Sequence, residues 1–212
     1  MKPICVFGVL LTEEGKKIKS EMLEWLEPIY EVHLIEQEPP GKLFEYPAIK
    51  EAIELSIERN SPVLYIHTKG AGNPVRGTAP CPAYPVGYRA IDCMPANRCN
   101  EDWQGCVRNM WKHEFTENRD KYFEAVNVDH SMVACPYHSK NNRITWQNSF
   151  VMNPLAAEEV KKTFILTSNR YYYECIFDRT KVGMVGIRLN DIPDDPNVRY
   201  NTMPMNRDIW TF

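Results

Sequence analysis

Long apolar runs are missing from this chain of 212 residues. The most apolar stretch, Ile4 to Leu11, is eight residues long, against the roughly 20 that a helix needs to cross a bilayer. It is also too short for a secretory leader and has no small-residue cleavage site. Positive charge is not in excess. Lys plus Arg number 25 against 28 for Asp plus Glu, giving a net charge of -3 and a pI of about 6.0. The basic footprint of nucleic-acid binding is therefore absent. Glycine, at 10, is scarcer than proline, at 16, so the loops are expected to be stiff. Internal repeats and low-complexity tracts are absent. Cysteine is present, but its count of seven is odd. Without a leader, that favours a reducing compartment and mostly unpaired thiols, and the expected location is cytoplasmic. What remains is ordinary for a globular chain, with 43% hydrophobic and 25% charged residues. Disordered, collagen-like and coiled-coil classes are excluded, and the length suits one large domain with its own core.

Hydrophobic patterning organises the first 70 residues. The continuous run Ile4–Leu11 predicts a strand covered on both faces. Thr12 is placed to cap a following helix, with Glu13 and Glu14 in its positive first turn. Ile18, Met22, Leu23, Leu26 and Ile29 recur at helical spacing. A second strand is expected over Val32–Ile35, a breaker at "EPPGK", and a helix opening near Pro47 with Ile49, Ala52, Ile53, Ser56 and Ile57 inward. "PVLYIH" reads as a third strand. Alternation of strand and helix implies right-handed crossovers and a doubly wound, mostly parallel α/β sheet.

Residues 71–106 break that rhythm. They hold five prolines and four cysteines and show no periodicity, the mark of a long functional loop or lid. Helical spacing returns over 107–125 through Val107, Met110, Trp111, Phe115 and Tyr122. "SMVACPY" and "TWQNSFVMN" read as fourth and fifth strands, Pro154 opens a helix to about Lys162, and Val182–Leu189 is a last apolar run. The expected organisation is one domain over 1–189: a ligand-binding half at 1–70, the loop at 71–106 and a second half at 107–189. The Pro-rich arm at 190–212 carries Trp210 and Phe212, which are expected to dock on the domain.

The abrupt change at the end of the third strand is the most informative chemical feature. "VLYI" gives way to His67, Thr68, Lys69 and Gly70. Ligands of open α/β sheets bind beyond the carboxyl ends of strands. Two residues apart, His67 and Lys69 share one side of an extended segment. Two cations beside a glycine turn suit an anion such as phosphate.

The segments "EYPAIKEAIELS", "VLYIHTKGAG", "TWQNSFVMN" and "RYYYECIF" together resemble, in order over residues 44–178, a family of glycosyltransferase-like proteins of polysaccharide and surface-glycan synthesis. In that family a "YIHTKG" strand precedes an Arg/Trp-rich helix, a "GNFWWA"-type strand and an "R…E.W" helix. Its members are similar to nucleotide-sugar transferases of the GT-A fold. The resemblance implies a UDP-, GDP- or dTDP-sugar donor held by the first half and a glycan or other hydroxyl acceptor held by the second. Phe7, Gly8 and Val9 would border the base, and His67, Thr68, Lys69 and Gly70 would face the diphosphate. Trp146, Asn148 and Trp103 would face the acceptor.

Departures from that pattern shape the expected chemistry. Where most GT-A enzymes carry a metal-holding Asp-x-Asp, this chain reads His67-Thr68-Lys69. Direct neutralisation of the leaving diphosphate by cations is the expectation, with Asp92, Glu101 and Asp102 as the fallback metal ligands. Gln147 replaces the Gly of the family's Gly-Asn pair, while Asn148 keeps the amide. Glu174, among Tyr172, Tyr173 and Phe177, is the candidate base for the acceptor hydroxyl; pairing with Arg170 is the structural alternative. Asp129 is a weaker acidic candidate. Tyr84 and Tyr88 are further candidates for stacking on sugar, with packing as their alternative role. Cys81, Cys93, Cys99 and Cys106 are separated by 11, 5 and 6 residues. They lack a zinc knuckle and are expected to be thiols, with disulfides or zinc as minor alternatives. Cys5, Cys135 and Cys175 lie in apolar runs and are expected in the core. His113 and His130 have no partner at a defensible spacing. The rival to an enzyme is a non-catalytic module on a degenerate transferase fold that recognises a glycan or a partner. A third reading is the first domain of a larger enzyme.

Overall fold

In the computed structural model, which describes residues 2–38, 45–68, 103–137, 149–164 and 182–188, strand β1 (Ile4–Leu10) is buried at each of its seven positions. Thr12 then caps α1 (Glu13–Leu26), its Oγ1 accepting from the Gly15 N–H at 2.9 Å, with Glu13 and Glu14 in the first turn. β2 follows at Glu31–Gln37. α2 spans Tyr46–Arg59, with Pro47 in its first turn and Asn60 closing it in the left-handed region at φ 45°. β3 (Val63–His67) is buried throughout.

The second half contains α3 (Trp103–Thr116), α4 (Arg119–Ala125), β4 (Met132–Tyr137), β5 (Phe150–Met152), α5 (Pro154–Phe164) and β6 (Gly183–Arg188). Among the described residues the strands form one six-stranded sheet in the order β2-β1-β3-β5-β4-β6. β1 pairs in parallel with β2 and β3, and β4 in parallel with β6. β5 lies antiparallel between β3 and β4. The architecture is thus α/β with a mixed sheet in which five strands run one way.

Strand alternation divides the core. Cys5, Phe7, Val9, Leu64, Ile66 and Val151 pack against α1, α3 and α4 through Ile18, Met22, Trp111, Phe115 and Tyr122. Ile4, Val6, Val63, Tyr65, Phe150 and Met152 pack against α2 and α5 through Ala48, Ile49, Ala52, Ile53, Ala156 and Val160. Helices cover both faces, as the alternating pattern of the first half implied.

Two expectations need correction. The single helix expected over 107–125 is two helices. The Glu117 and Asn118 N–H groups both donate to the His113 carbonyl, at 2.9 and 3.4 Å, which ends α3. Asn118 Nδ2 and Tyr122 Oη then donate to the two carboxylate oxygens of Glu114 at 3.2 and 2.6 Å. Satisfying that buried carboxylate turns α4 back onto α3. Of the fifth strand expected over "TWQNSFVMN", residues 145–148 lie outside the described residues; the described part is Phe150–Met152, and Asn153 leaves the ladder to serve as a junction. Its Nδ2 donates to the Val126 and His130 carbonyls at 2.9 and 2.6 Å. Its Oδ1 accepts from the N–H groups of Met132 and Ala156 at 3.1 and 2.9 Å. One amide thus starts α5, anchors β4 and closes the α4–β4 turn. The arm at 190–212, with Trp210 and Phe212, and residues 71–102 of the expected loop lie outside the described residues; the loop's last four residues, 103–106, belong instead to the start of α3. Among the described residues no helix is long and apolar enough to cross a membrane.

Candidate functional site at the carboxyl ends of β1 and β3

From β1 the chain passes through α1 to β2 on one side, then returns through α2 to β3 on the other side of β1. The crossovers therefore diverge between β1 and β3. A crevice beyond the carboxyl ends at such a switch point is the usual ligand site of open α/β sheets.

Close backbone contacts build this edge. Gly8 pairs in register with His67. A Cβ on Gly8 would stand 3.0 Å from the Ala48 Cβ and 3.5 Å from the His67 Cβ, so the missing side chain lets α2 approach β1. At Gly15 a Cβ would fall 1.7 Å from the Leu10 carbonyl oxygen, so α1 starts directly on the end of β1. Thr68 is fully buried. Its N–H donates to the Gly8 carbonyl at 2.9 Å, and its Oγ1 accepts from the Leu10 N–H at 3.1 Å. The threonine thereby extends the β1–β3 ladder past the end of β3.

His67 is 2% exposed. Its ring stacks on Tyr65 with centroids 6.0 Å apart and meets Trp111 edge-on at 5.3 Å. Nε2 lies 3.6 Å from Glu45 Oε1, whose side chain is 12% exposed. Glu45 immediately precedes α2 yet makes no side-chain capping bond to it. A residue there ordinarily bonds the helix's first amides; this carboxylate faces the imidazole.

Two further polar groups sit nearby. Trp111 Nε1 and Ser149 Oγ are buried and have no hydrogen-bond partner among the described residues. Buried polar groups are paired in more than about 90% of cases, so both stand out. Further along α3, burial pushes the Glu114 carboxyl above its ordinary value, against the opposing effect of its Tyr122 and Asn118 hydrogen bonds. Burial likewise drives the Cys5 thiol far up and the Cys135 thiol up to about 12. Both are inert as nucleophiles and occupy the core, as expected.

The expected site residues distribute unevenly. His67, Thr68 and Gly8 come together at the switch point. Phe7 and Val9 are fully buried in the core beneath α1. Trp103 is the first residue of α3. Lys69, Gly70, Asp92, Glu101, Asp102, Trp146, Asn148 and Glu174 lie outside the described residues, as do Tyr84, Tyr88, Cys81, Cys93, Cys99 and Cys175. Asp129 and His130 are exposed, and His113 Nδ1 lies 3.0 Å from the Glu117 carboxylate. Sequence reasoning missed Glu45, Gly15, Trp111 as a polar group, and Ser149. Ser149 adjoins the Asn148 of the resemblance. Glu45 gives no local signal, because its partner is 22 positions away.

Among the described residues no three His, Cys, Asp or Glu side chains gather closely enough to hold a metal ion. The carboxylate–imidazole pair supplies at most two ligands. Comparison with known proteins finds no matching family model, no matching curated protein and no matching solved structure.

Proposed function

We propose that the chain is a GT-A-type glycosyltransferase, moving a sugar from a UDP-, GDP- or dTDP-sugar to a hydroxyl of a glycan or other acceptor in cytoplasmic surface-glycan synthesis. One observation carries the reading. The segment His67-Thr68 ends β3 at the switch point of the sheet, and Lys69 is the next residue of the chain. The parallel β1–β2–β3 unit with helices on both faces supports a nucleotide-binding half. The start of α1 also favours this division of labour. It carries Glu13 and Glu14, so an incoming diphosphate would be repelled there and must find its cation elsewhere.

In this reading Lys69 neutralises the diphosphate, and Thr68 fixes the backbone from which Lys69 departs. The end of β1, at Phe7, Gly8 and Val9, borders the base through its backbone. Glu174 takes the acceptor proton, the acceptor oxygen bonds to the anomeric carbon, and the bond from that carbon to the diphosphate oxygen breaks. The nucleoside diphosphate leaves with the electron pair, its charge met by Lys69. Trp146, Asn148 and Trp103 hold the acceptor. Metal-free neutralisation is part of the proposal, with Asp92, Glu101 and Asp102 as ligands should a divalent ion be required.

The test is thermal unfolding against UDP, GDP, dTDP and CMP, with and without Mn²⁺. A ligand at a hundred times its Kd stabilises by about 2.7 kcal/mol. A transferase responds to one nucleotide and discriminates against the rest. A specific observation favours a second reading: His67 is 2% exposed and packed on two aromatic rings, which suits a structural role. A non-catalytic glycan-binding module on the same fold responds to no nucleotide.

A further inference from the structure

We infer that Trp111 and Ser149 form a subsite for a sugar hydroxyl beside His67, an inference that takes its ligand class from the transferase reading. Tyr65 faces Phe150 across the β3–β5 ladder. Continuing that register sets Ser149 opposite Ile66, one residue before His67. Strand alternation places Ser149 on the side of Ile66 and Val151, the side whose core includes Trp111. The Trp111 ring in turn meets the His67 ring at 5.3 Å. Both unpartnered polar groups therefore belong to one end of the sheet, on one face, next to the switch point.

Their chemistry selects the ligand. An indole N–H only donates, while a serine hydroxyl donates and accepts. The titratable groups beside them among the described residues are His67 and Glu45, which face one another at 3.6 Å. A neutral oxygen that both accepts and donates uses the full capacity of this set. The core on that face is otherwise apolar, Ile66, Phe115 and Val151 included, the kind of surface that lines small-molecule sites around a few polar groups. Both polar atoms are fully enclosed in this packing, so the hydroxyl enters by displacing neighbouring side chains. Leaving a donor unpaired weakens the closed state, and pairing it with ligand recovers that loss.

The distinguishing signature is a trade of stability against sugar affinity. Ser149→Ala and, independently, Trp111→Phe remove one polar group each and keep most of the volume. Melting of the full chain without ligand, titration with nucleoside diphosphate and with the matching nucleotide sugar, and saturation-transfer NMR with free glucose, galactose and mannose are measured on both variants. The expected result is an unchanged or higher melting temperature and an affinity for the nucleotide sugar about tenfold weaker, as one lost hydrogen bond gives. Binding of the bare nucleoside diphosphate should not change. Lower melting temperatures with unchanged sugar binding would overturn the subsite and leave the transferase reading intact. If the wild type binds no nucleotide, the transferase reading fails and the NMR arm decides alone. A sugar signal in the wild type that Ser149→Ala abolishes supports the subsite. Equal signals, or none, overturn it.

Discussion

The two halves of the sheet are held together by different means. Around β1, α1, α2 and β3 the structure depends on size. Gly8 leaves room for Ala48 where a Cβ would come within 3.0 Å of it, Gly15 seats α1 on the Leu10 carbonyl, and Ala48 and Ala52 let α2 lie close to the strands. Around α3, α4, β4, β5 and α5 it depends on polar satisfaction. Asn153 makes four side-chain bonds, Glu114 accepts from Asn118 and Tyr122, and Tyr30 Oη donates to the Phe115 carbonyl at 2.6 Å, tying the halves together. The lesson is that the first half should fail when volume is added, and the second when a hydrogen-bonding atom is removed.

The largest effect is expected in the second half. Asn153→Ala strips partners from the Val126 and His130 carbonyls and from the Met132 and Ala156 amides. With each buried orphan costing about 1–3 kcal/mol, and relaxation recovering part, urea unfolding should report a loss of about 3–5 kcal/mol. A loss below about 1 kcal/mol would show that the junction does not depend on this amide. The counterpart in the first half is Gly15→Ala. Its Cβ meets backbone, which cannot swing aside as a side chain can, so α1 must shift on β1 at a loss of about 2–3 kcal/mol. Gly8→Ala meets the Ala48 methyl at 3.0 Å and should lose about 1 kcal/mol. Equal losses at the two glycines would undo the distinction between backbone and side-chain contact.

The smallest effect sharpens the contrast through pH. Because burial raises the Glu114 carboxyl, the folded chain binds its proton more tightly than the unfolded chain does. The stability linked to this group is fully present below the ordinary carboxyl range and is lost as pH rises through the raised value. Glu114→Gln removes the charge, and its amide can donate to the Tyr122 oxygen while its carbonyl accepts from Asn118. Melting temperatures of the variant should therefore fall less between mildly acidic and neutral pH than those of the wild type. Parallel curves would contradict the burial argument.

What the amino-acid pattern revealed follows the same division. β1, the Thr12 cap, the first turn of α2 at Pro47 and β3 are set by neighbours close in sequence, so apolar runs and capping residues were enough to find them. The break between α3 and α4 was hidden because Phe115 and Tyr122 keep helical spacing while Glu114, eight positions before Tyr122, draws the chain back on itself. The direction of β5 depends on pairing with β3, some 85 residues earlier, and no local residue records it. The stretch 138–149 between β4 and β5 is about the minimum for a strand-to-strand crossover, so length alone did not exclude a parallel neighbour. At the candidate site, the polar turn at His67 was visible as a change of composition. Glu45 was not, since its partner His67 lies 22 positions away in the sequence. Trp111 and Ser149 read as packing and strand, because a lone polar atom within a buried surface leaves no pattern in sequence.

In the proposed transferase, Lys69 is the cation that meets the diphosphate. Isothermal titration of the responding nucleoside diphosphate into the wild type and Lys69→Ala, with and without Mn²⁺, tests this most directly. A charge-assisted phosphate contact contributes about 1.5–3 kcal/mol, so the variant should bind about ten- to a hundredfold more weakly. Its melting temperature and its binding of the unphosphorylated nucleoside should be unchanged. Binding that requires Mn²⁺ and is indifferent to Lys69→Ala would contradict the account and turn attention to Asp92, Glu101 and Asp102.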